Sequence, residues 1–555
     1  MKRITPFLAV LALAGCGTDV TGPSSSLLSC VFGEAVTPSP GQVLQFQGVA
    51  NQGVCLDGGP GAEFVYVPFN AATATVSLDL TGAGFADAGL IGQSRAGLVP
   101  RISLGAAAQA SRYVMDYEFH DRLRRSEITE LEPRIRPGPV TARAAAPPLA
   151  ADTPSVGELR DFNVAVSCDG TDIRTGEVMY LSQHAVVMAD TANPADLTST
   201  DYAYFGETFD TLIHRVETAH FGDPTDIDDN GRSILFFTRA VNERNPQGSE
   251  TVTIGFFWSG DLFPPAGSQR LQACPASNES EMFYLIAPDP NGDAGVAFTL
   301  ETVRNLAIPL IGHEFQHLIN ASRRLFVNNA TTFEEGWLNE GLSHAAEELL
   351  FLDVAGFSTG SNLDIDDVRN ADAVDAFNQY MGGNFNNYAR YLQRPDTASL
   401  MGEANLLSSR GAAWAFLRYA ADRSGRGDET FYFDVVNAPD AGLDNLDGVL
   451  GEPATDWIRD WAVSIYTDDL VSGITPRFTA SSWNWRSVYE GSSMEAYPLR
   501  VESLVSGETA TASLLSGGAI FNRFGVAPEG RAVLHVETAS GQPASSLHGS
   551  FIRVR

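Results

Sequence analysis

Two histidines four positions apart, His313 and His317, lie in a stretch that reads as one helix from Thr299 to Asn320, and they constrain this chain more than any other feature. Residues i and i+4 share a helical face, so both imidazoles can address one cation. Glu314 comes one residue after His313 and lies beside that cation rather than on it. There it can serve water as general base and then the leaving group as general acid. A chain of 555 residues with nine histidines matches HExxH by chance roughly 0.01 times. Leu310, Ile311, Leu318 and Ile319 are apolar and bury the helix on its other faces, and a buried histidine pair needs partners. Thr299 is the expected N-cap, and Pro309 is expected to kink the helix.

A catalytic Zn2+ takes three protein ligands and keeps one position open. Downstream of His317 the candidates for the third are Glu334, Glu335, Glu340, His344, Glu347 and Glu348. A third histidine at HExxHxxGxxH spacing is excluded, because His317 is followed by Leu318-Ile319-Asn320-Ala321-Ser322-Arg323. Metal-bound imidazoles donate their free N–H to an oxygen, which makes Glu347 a candidate support.

Trp337-Leu338-Asn339-Glu340-Gly341 resembles the WLNEG block of the gluzincin peptidases. "HEFQHLIN" together with "WLNEGLSHAAEE" is similar to the hyicolysin family of secreted neutral metalloproteases, over roughly Val156 to Asp469. The resemblance implies a zincin-like domain with a mixed-sheet lobe and a helical lobe. It implies Zn2+ on His313, His317 and Glu340, with Glu314 as the base, and hydrolysis of peptide bonds in extracellular proteins. Thermolysin-like relatives carry an Asp four residues after the ligand Glu; this chain has His344 there. His344 is expected to support a carboxylate or the oxyanion. Tyr380, Tyr388, Tyr391 and Arg410 are the other oxyanion candidates. "EMFYLIAPDP" is expected to be an edge strand to which an extended substrate adds. Two other readings are a zinc aminopeptidase and a non-enzymatic surface lipoprotein with a vestigial site.

The remaining sequence sets the organisation. Lys2 and Arg3 precede a short apolar run ending in Leu13-Ala14-Gly15-Cys16, which reads as a lipoprotein signal over 1–15 with lipidation of Cys16. A polar tether over 16–29 follows. The chain is thus expected in a bacterial cell envelope, lipid-anchored and facing outside the cytoplasm. The net charge of -32 disfavours nucleic acid as a partner. Strand-like segments such as "EFVYVPFN" predict an N-terminal, mainly β domain over 30–132. "RPGPVTARAAAPPLAADTP" predicts a linker over 133–156, and a cut there would make the N-terminal part a removable pro-segment. The metallopeptidase domain is expected over 157–470 and passes from strands to helices. A C-terminal β domain is expected over 471–555. The fold class is α+β rather than alternating α/β. Cys30–Cys55 and Cys168–Cys274 are the expected disulfides, each inside one domain. Finally, "DIDDNG" sets Asp226, Asp228 and Asn230 at the first positions of a Ca2+ loop, although position 12 is Phe237 and no complete EF-hand can form.

Overall fold

Every residue of the strand "EFVYVPFN" is buried, so it needs a neighbour on both edges, and it finds them at the far end of the chain. The structure, a computed structural model, describes residues 35–47, 52–86, 114–138, 154–402, 406–492, 496–528, 530–538 and 546–555. Strands β1 (Val43–Gln47), β2 (Gln52–Asp57), β3 (Glu63–Asn70), β4 (Val76–Ala83) and β5 (Phe85–Ala86) come first. Strand β6 (Val114–Met115) and helix α1 (Tyr117–Ser126) follow. The central sheet strands are β7 (Leu159–Asn163), β8 (Ile173–Leu181), β9 (Ala185–Asp190), β10 (Ser233–Phe237), β12 (Gly255–Phe257) and β13 (Met282–Leu285), while β11 (Thr251–Val252) pairs with β6. The chain ends in β14 (Glu502–Ser503), β15 (Thr509–Leu514), β16 (Asn522–Val526), β17 (Arg531–Thr538) and β18 (Leu547–Arg553).

The strands from the two ends share two sheets, in the orders β1-β18-β3-β16-β14 and β15-β4-β17-β2. The segments read from sequence as two separate β domains therefore build one unit. Its core includes Phe64, Leu78, Leu514, Phe524, Val536 and Phe551, drawn from both ends. Short-range patterning shows a strand's buried face but not its partner, which accounts for the difference. The expected linker also begins later than its composition indicates. Ile135 bridges to Leu271, and Arg136 donates its backbone N–H to Arg270 O at 2.8 Å.

The central sheet runs β12-β13-β10-β9-β8-β7, with β9, β10 and β13 parallel and the other pairs antiparallel. This is the mixed sheet expected of an α+β domain. Strand β13, expected at the edge, lies inside, because β12 pairs along its outer side. The edge is β12. The Cys168–Cys274 disulfide forms and joins the loop before β8 to the loop before β13. Cys16, the signal, the tether and Cys30 lie outside the described residues.

Helices α2 (Ser199–Thr208) and α3 (Arg215–Phe221) form one run through a wider turn at Phe209–His214, and α4 (Arg239–Asn242) follows β10. The long helix is α5 (Leu300–Phe326), capped as expected by the Thr299 hydroxyl, which accepts the Thr302 N–H. Helix α6 (Gly336–Ala355) crosses it and ends at Gly356, whose φ of 71° forms the left-handed cap. The helices come close at Gly312, where an added Cβ would collide with Leu350 Cδ1. The helical lobe continues as α7 (Ile365–Val368), α8 (Val374–Ala376), α9 (Gly382–Gln393), α10 (Leu407–Ser424), α11 (Asp428–Val436), α12 (Gly442–Leu450), α13 (Ala454–Thr467) and α14 (Trp485–Gly491). Among the described residues, no helix is long and apolar enough to cross a membrane.

Candidate active site

Helix α5 turns His313 and His317 towards α6, and α6 answers with Glu340. His313 Nε2 lies 3.4 Å from Glu340 Oε2, and His317 Nε2 lies 3.7 Å from Glu340 Oε1. The other ring nitrogens are occupied. His313 Nδ1 is 2.9 Å from Glu347 Oε1. His317 Nδ1 is 3.1 Å from Asn339 Oδ1, which also accepts from Asn320 Nδ2 at 2.9 Å. The tautomer these bonds require puts each proton on Nδ1 and frees both Nε2 lone pairs towards Glu340. Glu340 Oε1 is buried with no hydrogen-bond partner. Two neutral imidazole donors, one carboxylate and an unsatisfied buried oxygen fit a Zn2+ ion.

The other downstream acids are engaged elsewhere. Glu334 pairs with Arg324 at 3.2 Å. Glu335 accepts from Trp337 Nε1 at 2.7 Å. Glu348 accepts from Trp483 Nε1 and lies 3.6 Å from Arg418. Burial works against charge on His313, yet Glu340 and Glu347 outweigh it and push its pKa up to about 10. A cation seated between His313 and Glu340 takes the place of that proton. Burial also opposes ionisation of Glu340, but Arg410 and the two histidines outweigh it and hold the carboxyl well below the usual range.

Glu314 sits beside this triad, at the edge of the sheet. Its Oε2 accepts the Phe257 N–H of β12 at 3.0 Å, and its Oε1 is 3.5 Å from His120 Nδ1. Burial pushes its carboxyl up to about 7. Helix α1 closes the site from above. Beyond His120, Arg124 Nη2 donates to Phe257 O at 3.2 Å, and the Tyr117 ring lies 4.8 Å from the Arg410 guanidinium. Strand β6, just before α1, pairs with β11. Glu314 and Glu340 are 0% exposed, His317 is 1% and His313 is 6%.

Comparison with known proteins agrees with this geometry. Over 214 residues, 38% of its length, the chain is 25% identical to "Neutral metalloprotease ShpI" of Staphylococcus hyicus. The chain is similar to a neutral metalloprotease. The match covers 44% of that metalloprotease's own length and bears out the resemblance carried by the two motif blocks. No family model matches the chain. Two solved structures of the M1 zinc metallopeptidase from Deinococcus radiodurans, one of them a mutant, cover 54% and 53% of this chain and 50% and 48% of theirs. Their identities are 13% and 12% and their TM-scores 0.27 and 0.26.

Beside the metalloprotease-like core, the remaining expected site residues divide. His344 Nδ1 is 3.0 Å from Glu347 Oε2, so one carboxylate spans His344 and His313. Arg410 Nη1 donates to Glu340 Oε2. Tyr391 is not brought to the site: its ring stacks on Trp461 at 5.4 Å and Tyr388 at 6.2 Å. Tyr388 in turn packs on Trp485 at 4.9 Å. Their apolar neighbours along α9 make them core. Asp226 and Asp228 come together, but Asn230 does not join them as an oxygen donor. Its Nδ2 donates to Asp228 Oδ2 at 2.6 Å, and its Oδ1 accepts the Arg232 N–H at 2.6 Å. Sequence reasoning missed Asn339, although it stands in the WLNEG block, one residue before Glu340. It also missed Tyr117, His120 and Arg124, whose charged helix carries no motif.

Proposed function

We propose that this chain is a zinc-dependent endopeptidase. The observation that carries the proposal is the convergence of the His313 and His317 Nε2 atoms on Glu340, with the Glu314 carboxylate beside them at a sheet edge. Zn2+ held by His313, His317 and Glu340 would supply Lewis acidity towards water and the scissile carbonyl. The chain's own groups do the rest. Glu314 Oε1 takes a proton from the attacking water and delivers it to the departing amine. Phe257 N–H holds Glu314 Oε2 and so fixes the direction in which Oε1 points. Glu347 and Asn339 fix the two imidazoles. Arg410 offsets the charge of Glu340, and His344 holds the second oxygen of Glu347 through Nδ1.

Endopeptidase action is favoured by the edge strand. An extended substrate adding at β12 needs no free amine, and it takes the place of Arg124 on Phe257 O. The chain is read as a lipoprotein anchored at Cys16 on the outer side of the cell envelope, acting on protein or peptide there; metabolic labelling with palmitate, lost in Cys16→Ser, checks this.

The test is cleavage of casein and of peptides with acetylated N-termini by zinc-loaded wild type and Glu314→Gln. Wild type cuts both substrates, and the variant keeps its zinc while losing activity about 10²–10⁴-fold. Cleavage confined to peptides with free N-termini would assign an aminopeptidase. Stoichiometric zinc without cleavage of any substrate would leave a binding protein.

A further inference from the structure

The loop between α3 and β10 brings three carboxylates to one point, away from the zinc triad. One oxygen each of Asp226, Asp228 and Glu281 lies within 4.8 Å of the other two. Glu281 is not part of the "DIDDNG" segment; it comes from the residue before β13 and is 3% exposed. It points into the loop, where Oε1 accepts the Ile227 N–H at 2.6 Å, between the two aspartates. Its Oε2 is buried and has no hydrogen-bond partner.

Asp226 and Asp228 are pre-shaped by their own turn. Asp226 accepts the Asn230 and Gly231 N–H groups at 3.0 and 2.9 Å. Asp228 accepts the Asn230 N–H at 3.2 Å. Among the described residues none of the three carboxylates forms an ion pair; Arg160, the nearest cationic influence on Asp228, pairs with Glu158 at 2.8 Å. A buried carboxylate, Glu281, this close to two further carboxylates is stabilised by taking up a proton or by sharing a cation with them. Burial and the neighbouring aspartates push Asp228 up to about 7 and Glu281 up to about 8.

We propose that Asp226, Asp228 and Glu281 form a Ca2+ site that clamps the α3–β10 loop to the start of β13. Three hard oxygen donors with an exposed member, Asp226, suit an ion that takes 6–8 oxygens and completes its shell with water. The clamp acts on the scaffold of the zinc centre. Strands β10 and β13 are paired neighbours, β12 pairs on β13, and Thr225 of the same loop donates its N–H to Ser322 Oγ on α5 at 3.2 Å. The site is separate from the zinc triad and its test reads no activity.

The experiment uses the full, zinc-loaded chain, freed of calcium by dialysis into calcium-free, zinc-buffered solution, with zinc and calcium contents checked by metal analysis. Calorimetric titration with CaCl2 should show one Ca2+ bound per chain. At 100 times Kd, Ca2+ should raise the folded-to-unfolded ratio about 100-fold in a thermal or denaturant melt. Asp228→Asn and Glu281→Gln should lose both effects. Without calcium, Glu281→Gln should melt no lower than wild type, because the amide oxygen still accepts the Ile227 N–H and no buried carboxyl remains to ionise; this separates a lost ligand from a lost fold. No binding by wild type, or undiminished binding by both variants, overturns the site. An equal response to MgCl2 overturns the assignment to calcium.

Discussion

Glu314 carries the proton chemistry with one oxygen held by Phe257 N–H and the other, facing His120 at 3.5 Å, without a hydrogen-bond partner. Burial raises its pKa in the folded chain to about 7, so it holds a proton below that pH and acts as a base above it. Activity is therefore lost as pH falls through the folded pKa. A bound cation favours the carboxylate and moves that limb downward. The expected outcome is an acidic limb in kcat/KM at or below about pH 7. An acidic limb well above pH 7 would assign the base elsewhere. At the metal, Asn339→Ala should weaken zinc binding about 10–100-fold, because His317 loses the oxygen that fixes its ring. Glu335→Ala should leave zinc affinity unchanged; equilibrium zinc competition measures both. His313, Glu314 and His317 were legible because their spacing is local to one helix. Glu340 was legible only through a motif block. Asn339, inside the same block, went unread because its role depends on α6 crossing α5 at one angle.

Among the elements, α5 starts at the expected Thr299 cap but runs on to Phe326, past the expected end at Asn320. Edge and interior were harder to tell apart: β13 reads as apolar and so does β12, and only pairing decides which is outermost. Helix α1 lay within a segment read as mainly β, and its place beside Glu314 was not legible. Tyr117, His120 and Arg124 reach the site from it, and Phe119 packs on Phe256 of β12 at 5.1 Å. Loosening these contacts with Tyr117→Ala and Arg124→Ala together should raise kcat/KM on peptides several-fold, as access improves, while zinc content stays constant. A fall in kcat at unchanged zinc would instead make α1 part of the working site.

For the whole molecule, the shared β unit is the feature that short-range sequence signals left unread. Strand β3 lies between β18 and β16, and β17 lies between β2 and β4. Deleting 496–555 should therefore expose residues 43–86 to protease, although nothing is removed from that segment itself; limited proteolysis followed by mass spectrometry reads this. Core burial of Phe64 against Phe524 (ring centroids 5.8 Å apart) is lost with the deletion.

Because the first strands wait for the last, this β unit is a record of completion. A chain threaded out of the cytoplasm from its N-terminus presents β3 long before β16 and β18 emerge, and contacts this far apart in sequence form slowly. A product stalled anywhere before residue 547 lacks the strand that seals β1 to β3. A single cut between 137 and 153 would have the opposite character. The two fragments would stay together as a non-covalent pair, held by ladders that neither fragment can form alone.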